Sequence, residues 1–147
     1  MNLGSLYQEV ILDHAKHPHN YGELDPHDAA AHRLNPTCGD TVEIQLVLGE
    51  DNRISAIKFS GRGCAISQAS ASMMTDIMIG KTMDEAHAVL RDFQTKMTDL
   101  DGDFAFEAQE MEELEALGGV RQFPNRIRCA TLAWHALEDA LSKVDGE

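Results

Sequence analysis

The spacing of hydrophobic positions changes along the chain, and each change marks an element. Leu3, Leu6 and Val10 share one face, which Ile11 and His14 widen, so Leu6–Lys16 predicts an amphipathic helix with Ser5 as N-cap. His17-Pro18 ends it, because a residue before proline is pushed out of the α region. Residues 17–37 are polar, carry Pro18, Asn20, Gly22, Pro26 and Pro36, and read as loop. Val42, Ile44, Leu46 and Leu48 then alternate with Glu43, Gln45 and Val47, the period of a half-buried strand. Gly49-Glu50-Asp51-Asn52 turns the chain, and residues 53–60 return as a second strand to complete a hairpin.

Gly61 and Gly63 break that pattern, and helical spacing takes over after Cys64. Ile66, Ala69, Met73 and Ile77 make a face through an Ala/Ser-rich segment that stops at Gly80. Thr82 and Glu85 stand at capping-box spacing, and Ala86, Val89, Leu90, Phe93 and Met97 carry a third helix. Residues 99–117 hold eight acidic residues and no basic one, which reads as a solvated acidic helix or loop over a buried stripe of Ala108, Met111, Leu114 and Leu117. Pro124 suits the first position of a last helix, whose core face is Ile127, Ala130, Trp134, Leu137, Leu141 and Val144. Helix, hairpin, then helices is an α+β order, and 147 residues suffice for one domain.

Charge and cysteine usage narrow the chemistry. Lys and Arg total 12 against 25 Asp and Glu, a formal net charge of −13 that repels phosphate backbones and anionic lipid heads. Neither nucleic acid nor a membrane surface is therefore an expected partner. The N-terminus lacks a basic, apolar, small-residue leader, and no stretch approaches the roughly 20 apolar residues of a membrane span. A cytoplasmic chain is expected. Three cysteines cannot all pair with one another, and in a reducing compartment they serve as fillers, metal ligands or reactive thiols.

Cys38 sits in a Pro/Gly loop, with Asp40 two residues on. Cys64 follows a glycine pair and opens a helix, and Cys129 lies in the first turns of the last helix. No CxxC pair occurs, so spacing alone specifies neither a zinc ribbon nor a thioredoxin-like site. A positive helix end favours thiolate at Cys64 and Cys129. Two readings stand on the residues: buried fillers, or, if the three segments meet, a Cys₃Asp set for Zn²⁺ or an iron–sulfur cluster. Such a set is formally −4, and Arg62, Arg126 and Arg128 flank the later cysteines as balancing charges.

The blocks Asn35-Pro-Thr-Cys-Gly-Asp40, Gly61-Arg-Gly-Cys-Ala-Ile-Ser-Gln-Ala-Ser70 and Arg126-Ile-Arg-Cys-Ala-Thr-Leu-Ala-Trp134 resemble the three signature blocks of NifU/IscU-like iron–sulfur assembly proteins. Leu6 to Asn20 is similar to that family's first helix, so the resemblance runs in order along nearly the whole chain. Arg128 stands where IscU-type scaffolds carry histidine, and the acidic insertion at 99–117 is absent from them; both features resemble the SufU branch.

The resemblance implies a single IscU-like α+β domain over residues 1–147, a small antiparallel sheet packed against helices. It implies Zn²⁺ held by Cys38, Asp40, Cys64 and Cys129, a set that Arg126 and Arg128 would support as flanking positive charges. The implied partner is a PLP-dependent cysteine desulfurase of the SufS type, whose persulfide sulfur passes to Cys38 and on to downstream cluster assembly proteins. The chain is then a zinc-dependent sulfurtransferase that acts as co-substrate of the desulfurase, with Cys38 freed from zinc on docking. The alternative for the same four residues is a scaffold that builds a [2Fe–2S] cluster and hands it on.

His14, His17 and His19 cluster at the end of the first helix; such a group can suggest a metal site, and the plainer reading is cation placement at a helix C-terminus followed by a loop. His135 reads as a packed or surface residue, and Leu6 and Tyr7 as helix core, with partner contact there implied only by the resemblance. Gly61-Arg-Gly lacks the Gly-Lys-Ser/Thr of a phosphate loop, and no serine–histidine–acid order appears.

Overall fold

The structure, a computed structural model, describes residues 3–36, 39–99 and 101–145, and the side chains of 8–36, 39–99 and 101–144. Helix α1 spans Leu3–Lys16. It ends before Pro18 as expected, with the His17 N–H closing on the Asp13 carbonyl at 2.9 Å. Ser5 lies inside the first turns rather than at the cap.

The sheet has three antiparallel strands in the order β1 (Ala29–Asn35), β2 (Asp40–Leu48) and β3 (Ile54–Arg62). β2 and β3 form the expected hairpin, with Gly49–Asn52 as its turn and Asn52 at φ 60°. β1 corrects the reading of 17–37 as loop throughout. Its sequence, Ala-Ala-Ala-His-Arg-Leu-Asn, has no alternation of large apolar residues and weak intrinsic strand preference. It is a strand because helix α4 packs onto it: Ala29 and Ala31 are the small buried contacts. Arg33 then grips Asp139 of that helix through two hydrogen bonds, at 2.7 and 3.1 Å.

The loop before β1 covers the other edge of the sheet. Gly22 N–H donates to the Phe59 carbonyl at 2.8 Å, and Phe59 N–H to Asn20 at 3.1 Å. The free edge of β3 is thus partly capped. Gln45, expected on the solvent side, is buried because its Oε1 accepts the Leu24 N–H at 2.6 Å. A bulge after Val47 leaves Leu48 only partly buried.

Helix α2 (Ala65–Met78) is central. The single apolar face expected for it is too narrow: Ser67, Ala69, Ser70, Ala71, Ser72, Met73, Met74 and Thr75 are all buried, as are Ile77 and Met78. Small side chains let α1, α4 and the sheet approach it, and their hydroxyls are spent inside the core. Ser70 donates to the Ala130 carbonyl and accepts from Trp134 Nε1 at 2.9 Å. Helix α3 (Met83–Thr98) starts on the expected capping box, with Glu85 N–H on Thr82 Oγ1 at 3.2 Å and Thr82 N–H on Glu85 Oε1 at 2.9 Å. Its Phe93 stacks on Trp134, centroids 4.0 Å apart.

The acidic stretch becomes a 3₁₀ helix, Gln109–Gln122. Met111, Leu114, Leu117 and Val120 are buried at intervals of three, the period at which 3₁₀ side chains eclipse. The acidic side chains of the stretch face solvent as expected, Glu115 only partly, and three of them are tied down there. Glu110 pairs with Lys81 at 2.9 Å, Glu113 with His14 at 3.0 Å, and Glu115 accepts the Phe106 N–H at 3.1 Å. Helix α4 (Pro124–Asp145) begins on Pro124 and buries Ala130, Trp134, Leu137 and Leu141. Among the described residues no helix is long and apolar enough to cross a membrane.

Candidate metal centre

Three separate elements deliver the sequence-flagged donors to one place. Asp40 is the first residue of β2 and only 2% exposed. Cys64 is the N-cap residue of α2 and exposed, and Cys129 is buried in the second turn of α4. One donor atom from each lies within 4.8 Å of the other two. The filler reading holds for burial of Cys129 but not for Cys64. Cys38 lies outside the described residues; in sequence it falls in the β1–β2 connection, whose ends are the register partners Asn35 and Asp40.

Local chemistry holds the carboxylate in place. Asp40 Oδ1 accepts the Cys64 N–H at 3.1 Å, satisfying one of the donors a helix start leaves open, and Oδ2 stands 3.9 Å from Cys64 Sγ. The Cys64 side chain makes no cap hydrogen bond, and its sulfur faces the Asp40 carboxylate instead. Gly63 makes the approach feasible, because a Cβ there would come 2.1 Å from Ser67 Oγ and 2.9 Å from Asp40 Oδ1. Gly61 is needed for a different reason: at φ +129° a Cβ would strike the Thr41 carbonyl oxygen at 2.3 Å. Within the glycine pair that reads as a break in the sequence, Gly63 is thus the gap into which Asp40 fits.

Two thiolates and a carboxylate suit a borderline-soft ion such as Zn²⁺. Two thiolates bound at about 2.3 Å in a tetrahedron stand about 3.8 Å apart. The observed spread is within side-chain rotation of that arrangement. The positive end of α2 also favours negative charge at Asp40 and Cys64.

The two supporting arginines separate. Arg126 precedes Cys129 by one helical turn, on the same face, and its guanidinium lies 5.1 Å from the Phe123 ring. It lines an apolar groove with Ile11, Leu12, Ile66, Val120 and Phe123. Arg128 is a hundred degrees round the helix. It lines a cleft of about 250 Å³ with Asn35 and Pro36, on the side where the chain runs toward Cys38. Arg62 is exposed at the end of β3.

Sequence reading missed the environment of His14. That residue is 2% exposed, with Nδ1 2.7 Å from Ser72 Oγ and Nε2 3.0 Å from Glu113. Its role is thus a buried contact, not cation placement at a helix end. Its place on the apolar stripe of α1 was the signal. His135 is part-buried between Gln94 and Glu138, as expected.

Comparison with known proteins gives this geometry a context. The family described as NifU-like N terminal domain matches residues 6–146. A Streptococcus pyogenes protein named iron-sulfur cluster assembly scaffold protein IscU is 45% identical over 96% of this chain and 86% of its own length. The zinc-dependent sulfurtransferase SufU of Bacillus subtilis is 41% identical over 99% of this chain and 95% of its own. A crystal structure from Fervidobacterium islandicum, titled as an assembly scaffold protein for the SUF system, superposes with a TM-score of 0.79 at 31% identity, covering 95% of this chain and 99% of that one. The chain belongs to the NifU-like N-terminal domain family, whose members include the IscU and SufU proteins of iron–sulfur cluster assembly.

Proposed function

We propose that the chain is a sulfur acceptor of the SufU kind, a single domain over residues 1–147 that works in the cytoplasm. Zn²⁺ is held by Asp40, Cys64 and Cys129 together with Cys38. The observation that carries this reading is the convergence of Asp40, Cys64 and Cys129 at the start of α2, within 4.8 Å of one another. Bound zinc keeps thiols deprotonated near neutral pH without redox chemistry of its own.

The remaining chemistry belongs to the chain. Cys38 thiolate attacks the terminal sulfur of a persulfide on a PLP-dependent cysteine desulfurase of the SufS type. The desulfurase's S–S bond breaks, its cysteine leaves as thiolate, and Cys38 becomes the persulfide, so that no external oxidant or reductant is required. Asp40, Cys64 and Cys129 stay as metal ligands. The chain is a co-substrate of the desulfurase and not a stand-alone enzyme, and downstream cluster assembly proteins take the sulfur from it. Arg126 and Arg128 supply positive charge on the two sides of Cys129. Arg128, where IscU-type scaffolds carry histidine, and the name of the B. subtilis relative favour transfer.

A scaffold for a [2Fe–2S] cluster on the same four residues is the second reading, favoured by the name of the S. pyogenes relative. Protein from iron-replete cells separates the two: transfer predicts a colourless zinc protein, scaffolding a brown one with cluster absorption. Cys38→Ala is expected to keep zinc and lose stimulation of the desulfurase. Stimulation that survives with zinc bound would overturn the assignment of Cys38.

A further inference from the structure

A second group of metal-capable side chains lies on different residues from the thiolate site. His14 comes from α1, His19 from the loop behind it, and Asp76 from the last turn of α2. One ring nitrogen of each histidine and one carboxylate oxygen of Asp76 lie within 4.8 Å of one another. The two imidazole centroids are 4.6 Å apart. We propose that His14, His19 and Asp76 bind a divalent transition-metal ion.

The partners of these residues prepare them as ligands. Glu113 accepts from His14 Nε2 at 3.0 Å, which assigns the proton to Nε2 and leaves Nδ1 as acceptor of the Ser72 hydroxyl at 2.7 Å, the hydrogen bond that an ion displaces. A carboxylate on the far nitrogen is what orients a metal-binding histidine and raises its basicity. Asn20 Nδ2 holds Asp76 Oδ1 at 3.2 Å, while Oδ2 faces His19 Nδ1. Ser72 Oγ also takes the His19 N–H at 2.8 Å, which fixes the loop against α2. With neutral imidazoles, Asp76 and Glu113 leave the group at two negative charges.

Burial is graded in the way an accessible ion site requires. His14 is enclosed, whereas the side chains of His19 and Asp76 are 48% and 42% exposed. An ion enters by opening the His19–Asp76 hydrogen bond and displacing the Ser72 hydroxyl from His14 Nδ1, and solvent fills its remaining positions. Donors bound at about 2.0–2.1 Å in a tetrahedron stand about 3.4 Å apart, a distance these half-exposed side chains reach by rotation. Two imidazoles and a carboxylate favour late first-row ions over Mg²⁺ or Ca²⁺.

Co²⁺ titrated into the full-length protein as purified, its resident metal counted first, tests the site. Equilibrium dialysis should find one equivalent of Co²⁺ that gives no thiolate-to-cobalt charge-transfer band. In His19→Ala/Asp76→Asn that equivalent should bind at least tenfold more weakly. Absence of this band-silent equivalent, or its retention at full affinity in the double variant, overturns the proposal. Both substitutions fall on half-exposed side chains, and Asp76→Asn alone keeps the shape of the residue and should weaken binding in the same direction. Because the charge-transfer band reports thiolates alone, failure of the Cys₃Asp reading registers separately.

Discussion

At the residue scale, one missing side chain does the most to shape the site. Gly63 leaves room for the Asp40 carboxylate over the start of α2. Gly63→Ala should therefore displace Asp40 and Ser67, lowering zinc affinity by about tenfold, or about 1.4 kcal/mol, in a competition with a chromophoric chelator. Unchanged affinity would mean that Asp40 is not a ligand. A second residue pair gives a pH signature away from the site. Asp139 is held below its ordinary pKa, first by hydrogen bonds from Arg33 and then by the charge of Arg33, against some cost of burial. Its stabilising contribution is present above the unfolded carboxyl value of about 3.9 and is lost as pH falls through the lower folded one. Both side chains are about 40% exposed or more, so screening keeps the effect below about 1 kcal/mol. Urea unfolding of Asp139→Asn against the parent should show a gap at pH 7 that closes below about pH 4.

At the element scale, the features legible in the sequence are those with a local cause. The β2–β3 hairpin was legible from alternation and its turn residues, α3 from Thr82 and Glu85, and α4 from Pro124. β1 was not, because Ala29 and Ala31 become strand only under α4, at the far end of the chain. The buried stripe at 111, 114 and 117 was legible, but read only as helix or loop; the 3₁₀ geometry that its step of three suits comes from the structure. What pins that segment was not. Arg121 Nη1 donates to the carbonyls of Asp99 and Gly102 at 2.8 and 2.9 Å, closing the turn after α3. Two outcomes follow from these local causes. Thr82→Ala removes the capping box and should cost about 1 kcal/mol. In thermal unfolding that is a fall in Tm of about 2–4 °C, with metal content unchanged. Arg121→Ala should cost about 2 kcal/mol and be read first as faster amide exchange across the 3₁₀ helix.

At the scale of the whole molecule, the candidate centre exists only because a strand, a central helix and the last helix meet. The spacing of Asp40, Cys64 and Cys129 in sequence says nothing of this; the glycine flanks of Cys38 and Cys64 and the family resemblance did. An ion held by these residues ties β2, α2 and α4 together, so chelation should lower Tm, and added zinc should raise it with the logarithm of free ion. The acidic excess is distributed unevenly, and part of it is paired at the surface: Glu110 and Glu113, both exposed, are tied to Lys81 and His14. Charge reversal there tests packing as much as partner steering, so a loss of desulfurase affinity counts as steering only if it fades with added salt while Tm holds. The most direct test of the central claim is the mass of the Cys38 peptide after incubation of the zinc-loaded protein with a cysteine desulfurase and cysteine. The account predicts one added sulfur atom on Cys38. Cys38 unmodified, with the sulfur found on Cys64 or Cys129 instead, would contradict it.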